Sequence, residues 1–295
     1  MAPQVWLEVA LNGPWSRAVQ PHIPIAVEEI VREGIACAEA GAAIVHVHAY
    51  DPATGRQKDD AEVYAAIIEG IRSRVDAIVY PTIPFAGSAD ARGPAKPDVR
   101  FAVVEALARR GLIEWAVVDP GSVNLTHRGE LAAKRPGFVY LNSEEDVRHG
   151  LELARHYGFH PSYACYEPGF VRLGAALAAR CKGLPKPVYR FMFSDDFFFG
   201  FPPTSYALDA YLSLLRSEEP SAPWMVAGLA VDIAPLIGEA VRRGGHVRVG
   251  LEDAPFGCAR SNLELVEEAL RAIANAGGMP ASAAEVRAAI ADTKS

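Results

Sequence analysis

Eight short runs rich in β-branched and aromatic residues, near 5–11, 42–49, 77–82, 115–119, 160–166, 188–193, 223–229 and 246–252, recur along the chain with helical patterns between them. This alternation constrains the fold more than any other feature. Strands separated by helices cannot pair as hairpins, so they lie parallel, with the helices covering the sheet. Helix candidates such as Ile25 to Glu39, Ala61 to Arg72, Val99 to Arg110, Ser143 to Tyr157, Tyr206 to Leu215, Ile233 to Arg243 and Asn262 to Ala274 carry apolar residues at 3–4 spacing. Several end in glycine just before the next strand, as at Ala40-Gly41, Arg110-Gly111 and Arg243-Gly244-Gly245, which is where a left-handed helix stop belongs. Eight such units with no Pro/Ser-rich linker and no charge block predict one (β/α)8 TIM barrel domain over residues 1–295. An open doubly wound sheet is the alternative, but no G-x-G-x-x-G follows the first strand. A further apolar run, Phe138-Val139-Tyr140-Leu141, is read as part of the long loop after strand four, because a ninth parallel strand does not fit the closed ring.

With half of its 295 residues apolar, the chain can fill a barrel core. A net charge of −7 argues against nucleic acid or an anionic membrane as the main partner, since neither is attracted to an acidic surface. Cys37, Cys165, Cys181 and Cys258 form no C-x-x-C and no regular framework, as expected for reduced thiols in a cytoplasmic enzyme. The N-terminal apolar run from Val5 to Leu11 is too short for a signal or membrane span.

The second strand reads Ala43-Ile44-Val45-His46-Val47-His48. Residues i and i+2 of a strand share a face and lie about 6.5–7 Å apart, so both imidazoles can converge on one ion. The last strand ends Gly250-Leu251-Glu252-Asp253 and can supply a carboxylate. His46, His48 and Glu252, with an open fourth position, suit catalytic zinc better than a closed structural site. In a barrel these ends lie at the C-terminal mouth, where barrel enzymes work. Arg248 shares a face with Gly250 and Glu252 and points into the barrel, where it needs an anionic partner. Asp253 and Glu8 are both candidates. An Arg-paired Asp beside a metal-bound carbonyl substrate can act as a base, whereas an ion pair between the last and first strands can equally be structural.

Asn12-Gly13, then Ala40-Gly41-Ala42-Ala43-Ile44-Val45-His46-Val47-His48 with Asp51 and Gly55, resemble the β-keto acid cleavage enzymes. The segment Gly244-Gly245-His246-Val247-Arg248-Val249-Gly250-Leu251-Glu252-Asp253, followed by Asn262-Leu263-Glu264-Leu265-Val266 and a final Pro280 to Ala289 stretch, follows the family pattern closely. The resemblance implies a (β/α)8 fold, a homotetramer, and zinc held by His46, His48 and Glu252. It further implies condensation of a β-keto acid with the cosubstrate acetyl-CoA to give acetoacetate and a new acyl-CoA. In that reaction Asp253, supported by Arg248, deprotonates the carbon between carboxylate and ketone. Thr82 and Ser122 are placed as oxyanion donors, and Asn12, Trp15 and Asn124 as substrate contacts.

The chain departs from the family at three places. The member that cleaves an amino-substituted keto acid has a Glu two residues after the first-loop glycine, where this chain has Trp15. The expected substrate therefore lacks a primary amino group, its distal end being neutral, apolar or quaternary. After strand six, Ser194-Asp195-Asp196-Phe197-Phe198-Phe199-Gly200-Phe201 replaces a glycine-rich segment and is expected to line the tail pocket, form a lid or make a subunit contact. The aspartates of that loop keep a basic keto acid open. Where the family often has Val-Arg-Asp after the second His, this chain has Ala49-Tyr50-Asp51. Arg17, Arg92, Lys96, Arg128, Lys134 and Arg135 are the loop cations available to CoA. A metal-dependent hydrolase or aldolase, and a non-catalytic metabolite-binding barrel, are the competing readings. Against the first, His127, His149, His156 and His160 do not fall at strand ends.

Overall fold

In the computed structural model, which describes residues 2–84 and 96–291, eight parallel strands form one ring. They are β1 (Leu7–Ala10), β2 (Ile44–Val47), β3 (Ile78–Pro81), β4 (Trp115–Val117), β5 (His160–Cys165), β6 (Val188–Phe193), β7 (Trp224–Gly228) and β8 (His246–Val249). Successive strands are hydrogen-bonded from β4 round to β8, β8 pairs with β1, and the ladder continues through β2 to β3. The remaining seam, between β3 and β4, has the strands side by side without a ladder, so the barrel is nearly closed.

The helices α1 (Val27–Ala40), α2 (Ala61–Arg72), α3 (Ala102–Arg109), α4 (Glu144–Tyr157), α5 (Pro168–Ala178), α6 (Ser205–Glu218), α7 (Ala234–Arg242) and α8 (Asn262–Asn275) alternate with these strands. Their starts are chemically marked. Asp60 accepts from the amides of Glu62 and Val63, and Ser143 and Ser261 form capping boxes with Asp146 and Glu264. In α2 the residues Tyr64, Ala65, Ile67, Ile68 and Ile71 form the buried stripe that lies on the sheet.

Four expectations are refined. The run expected at 5–11 divides, because Gln4–Val5 leaves the ring to pair with Met279–Pro280. Phe138–Tyr140 is a strand, but it pairs antiparallel with Val123–Leu125 as a hairpin within the loop after β4, so the ring keeps eight. The helix expected over 99–110 is broken at Phe101, preceded by a short turn of helix, Pro97–Arg100. The buried Arg100 side chain donates to Leu141 O at 2.5 Å and Asn142 Oδ1 at 2.6 Å, which anchors the end of that hairpin. Helix α5 was not singled out, since Gly174-Ala175-Ala176 gives little contrast between its faces.

The floor of the barrel is aromatic. Trp6 stacks on His246 at 4.1 Å and meets Trp115 edge-on at 6.0 Å, and His246 Nδ1 accepts from the Trp6 amide at 3.1 Å. Below the open seam, Arg287 on the last helix, Ala283–Ala291, reaches Asp76 Oδ1 at 2.8 Å and Glu114 Oε1 at 3.0 Å. Those two acids stand just before β3 and β4. No disulfide forms among the four cysteines, and no described helix is long and apolar enough to cross a membrane.

Burial pushes the His246 imidazole from its ordinary range down to about 3. The unfolded chain therefore takes up a proton near pH 6.5 that the fold refuses, so the stability contribution is present above 6.5 and is lost as pH falls towards 3. Urea unfolding at pH 7 and pH 5 should show the native chain losing roughly 1 kcal/mol more than His246→Gln over that interval, after allowance for the partial exposure of the ring. Equal losses would show that the proton is taken up elsewhere.

Candidate active site

His46 and His48 stand at the C-terminal end of β2 and face the barrel axis. The backbone of His48 is clamped by Asn12, whose Oδ1 accepts from the His48 amide at 2.9 Å and whose Nδ2 donates to His48 O at 3.0 Å. Gln57 Oε1, from the hairpin Tyr50–Asp51/Arg56–Gln57, lies 2.9 Å from His48 Nδ1. That partner fixes the proton on Nδ1 and turns the Nε2 lone pair towards the axis. Glu252 arrives from a turn rather than from β8, which ends at Val249. The chain bends at Gly250, φ +139°, where an added Cβ would meet Ala10 O at 2.1 Å. Gly13, φ +62°, leaves the space that the Glu252 side chain occupies, since a Cβ there would lie 2.6 Å from Glu252 Cγ.

Each of the three residues offers one donor atom, and these atoms lie within 4.8 Å of one another. Glu252 Oε2 is 3.5 Å from His46 Nε2, and Glu252 Oε1 is 3.5 Å from His48 Nε2. His48 Nε2 and Glu252 Oε2 are buried with no hydrogen-bond partner. Two nitrogens and one carboxylate oxygen converge here, and His48 Nε2 and Glu252 Oε2 are the two left without a partner, a set that fits a zinc ion keeping a position for substrate. Burial drives the His46 imidazole well below its usual range, which keeps it in the neutral form a metal needs. Burial alone would raise the Glu252 carboxyl, but Arg248, His46 and His48 hold it well below the usual carboxylate range.

Arg248 satisfies both candidate partners. It donates to Asp253 through Nε and Nη2, both at 2.8 Å, and to Glu8 Oε1 at 3.0 Å, and Nη2 is also 2.9 Å from Glu252 Oε1. Burial pushes the Asp253 carboxyl up to about 6 against the pull of this guanidinium. Glu8 also accepts from the Tyr80 hydroxyl at 2.6 Å and from Arg190 Nη1 at 3.2 Å.

A cleft opens over this network. One wall carries His46, His48, Glu252, Arg248, Thr82 and Trp15, and the other Asp119, Tyr140, Tyr166, Phe138 and Leu125. Thr82 keeps its hydroxyl nearly free, its nearest acceptor being Ile83 O at 3.4 Å. Trp15 donates from Nε1 to Glu252 O at 2.7 Å, and Tyr50 donates to the carbonyls of Gly13 and Trp15, so the residue that departs from the family pattern anchors the first loop.

Other expected site residues are placed elsewhere. Asn12 is fully buried with its amide engaged by His48 and Pro24, so it positions His48 and does not line the cleft. Ser122 exchanges hydrogen bonds with the Asn142 backbone and does not line the cleft, and Asn124 is the outward residue between Val123 and Leu125 in the hairpin. Asp253 lies behind Arg248 and is not part of the wall. Phe197 and Phe199 are buried against Phe256 and Tyr166, behind the cleft and not in it, whereas Phe198 is exposed beneath Arg128. Of the loop cations, Arg17 pairs with Glu29 and Arg128 lies by Asp196. Lys96, Lys134 and Arg135 are exposed, and Arg92 lies outside the described residues. Arg190, Asp119, Tyr140 and Tyr166 were not anticipated. Arg190 had the same signal as Arg248, a lone charge in an apolar strand.

Replacing Gln57 by Leu should lower zinc affinity about 10- to 100-fold by releasing the His48 tautomer, as read by competition with a chromophoric chelator. Unchanged affinity would mean that the carboxamide does not orient the ring.

Comparison with known proteins gives a consistent picture. A family model described as beta-keto acid cleavage enzyme matches residues 4–291. The 3-keto-5-aminohexanoate cleavage enzyme of Fusobacterium nucleatum is 28% identical over 274 residues, covering 90% of this chain and 90% of that protein. The 3-dehydrocarnitine:acetyl-CoA trimethylamine transferase of Rhizobium meliloti is 23% identical over 308 residues, covering 100% and 98%. Among solved structures, apo ObcA superposes with a TM-score of 0.69 at 19% identity over 92% of this chain, which spans 66% of ObcA. That likeness concerns the barrel fold.

Proposed function

The chain belongs to the β-keto acid cleavage enzyme family, and on that premise we propose that it is a zinc-dependent enzyme condensing a β-keto acid with acetyl-CoA to release acetoacetate and a new acyl-CoA. The observation that carries the reading is the orphaned pair His48 Nε2 and Glu252 Oε2, facing His46 beside the Arg248–Asp253 pair. A zinc ion held by His46, His48 and Glu252 supplies Lewis-acid polarisation of the ketone, and so acidity to the neighbouring C–H.

Asp253 is the proposed base. Arg248 engages one lone pair of each of its oxygens and stands between Asp253 and the cleft, so the pair must shift for a remaining lone pair to take the proton from the carbon between carboxylate and ketone. That carbon bonds to the acetyl carbonyl as CoA thiolate leaves. The thiolate then adds to the original keto carbon, the bond to the deprotonated carbon breaks, and Asp253 returns the proton to acetoacetate. Thr82, on the cleft wall, is the side-chain donor for the oxyanions formed on the way. With Trp15 in the first loop, we propose a keto acid without a primary amino group. One relative is named for an amino-substituted keto acid and the other for dehydrocarnitine and trimethylamine.

The zinc-loaded protein, given acetyl-CoA and a panel of β-keto acids, should release acetoacetate with at least one tail class. Release with none, despite bound zinc, would turn the reading towards a metal-dependent hydrolase or aldolase. His48→Ala should lose most bound zinc by elemental analysis. Asp253→Asn should keep zinc but slow exchange of the substrate's C–H for deuterium at least 100-fold, within the range of a lost general base. Near-normal exchange would assign the base elsewhere.

A further inference from the structure

The metal ligands come from β2 and the turn after β8, the strands on either side of β1. The point across a ring of eight from β1 is β5. The residues just past β4 and β5, Asp119 and Tyr166, line the cleft there with Tyr140 of the hairpin. A keto acid held by its carboxylate and ketone at the metal side directs its distal end at this wall.

Asp119 is 4% exposed. Its Oδ1 accepts from the Ala164 amide at 2.6 Å and its Oδ2 from the Tyr140 hydroxyl at 2.9 Å. These bonds fix the carboxylate without cancelling its charge. The rings of Tyr140 and Tyr166 meet edge to face, 5.9 Å between centroids, beside it. Of the acids lining the cleft, Asp119 alone is not a metal ligand, among the described residues. The guanidiniums on the wall are engaged already, Arg190 by Glu8 and Arg248 by Glu8 and Asp253.

The charge balance points the same way. With the Arg100–Asp146 pair cancelling itself, the buried Glu8, Asp119 and Asp253 and the part-buried Glu252 are four carboxyls against the two guanidiniums Arg190 and Arg248, four minus two leaving two negative charges for a divalent ion to cancel. The keto acid then adds one negative charge, and a cationic tail removes it. A second carboxylate on the tail would stand unpaired beside Asp119.

We infer that Asp119, framed by Tyr140 and Tyr166, is a subsite for a positively charged distal end, and that a quaternary ammonium fits it best. A primary ammonium carries three N–H donors that each need an acceptor. Here each Asp119 oxygen already accepts one bond, which leaves two lone pairs for three donors, and Leu125, Phe138 and Met192, which line the same cleft, offer apolar surface. A quaternary ammonium needs only charge and aromatic faces. The inference rests on the β-keto acid reading above.

Calorimetric titration of the zinc-loaded protein tests it without acetyl-CoA. One ligand is a β-keto acid ending in trimethylammonium, and the other is its neutral isostere ending in tert-butyl. The cationic ligand should bind roughly tenfold tighter or more. Asp119→Asn and, separately, Tyr166→Leu should erase most of that preference while leaving affinity for the isostere within about threefold. Equal affinity of the native protein for the two ligands overturns the subsite whether or not either variant folds. A preference that survives in both variants overturns the assignment to these residues. Acetoacetate release is scored separately: release without tail preference sinks the subsite and leaves the reaction standing, and tail preference without release does the reverse.

Discussion

Glu8 is a carboxylate with no exposure to solvent, at the centre of the barrel. Its Oε1 receives Tyr80 from β3, Arg190 from β6 and Arg248 from the neighbouring β8. Taking such a group out of water costs several kcal/mol, and removing one partner from a buried pair of this kind typically costs about 3–5 kcal/mol more. The network is therefore costly to rearrange. It fixes Arg248, which in turn holds both Asp253 and the metal-side carboxylate Glu252. The register that places Arg248 beside Glu8, set by backbone pairing of β8 with β1, is thus also what places the reactive groups.

Two kinds of structure meet at the cleft. The His46–His48–Glu252 side stands on strand ends and short turns, where Gly13 and Gly250 allow close approach, Asn12 holds the His48 backbone and Gln57 its imidazole. The far wall is assembled from the hairpin after β4, the tip of β5 and the aromatic packing of Phe197 and Phe199 behind it. A family can keep the first and vary the second, so that bond chemistry and tail recognition change independently. That division agrees with relatives named for different substrates at modest identity.

The barrel was legible because alternation of strand and helix signals survives at every unit, and the convergence of His46 and His48 because they share a strand face. Glu252 could be named from its motif, although its backbone turns away from the strand one residue after Val249. Asn12, read as a substrate contact, clamps the His48 backbone. A buried asparagine that clamps a backbone and one that faces a ligand look alike until the position of His48 is known. Ser122 and Asn124 stand away from the cleft, since Val123–Leu125 enters a hairpin whose alternation turns them outward, a pairing the sequence does not announce. Asp119 and Tyr166 carry no motif at all, and only closing the ring brings them opposite the histidines. The Phe loop was expected to line the tail pocket, form a lid or make a subunit contact; Phe197 and Phe199 are buried behind the wall, because neighbouring loops supply Phe256, His127 and Tyr166 to pack against them, while Phe198 is exposed.

The seam between β3 and β4 bears on how the molecule comes into being. Seven joints of the ring are made by backbone hydrogen bonds, but beneath this one the link is Arg287 reaching Asp76 and Glu114. The arginine follows every strand in chain order, and β1 must likewise wait for β8. A chain emerging from the ribosome therefore carries an open, curling sheet through most of its synthesis, with unpaired edges at β1 and at the seam. Completion of the ring is a late event, and the interval before it is when the nascent chain most needs protection from its neighbours.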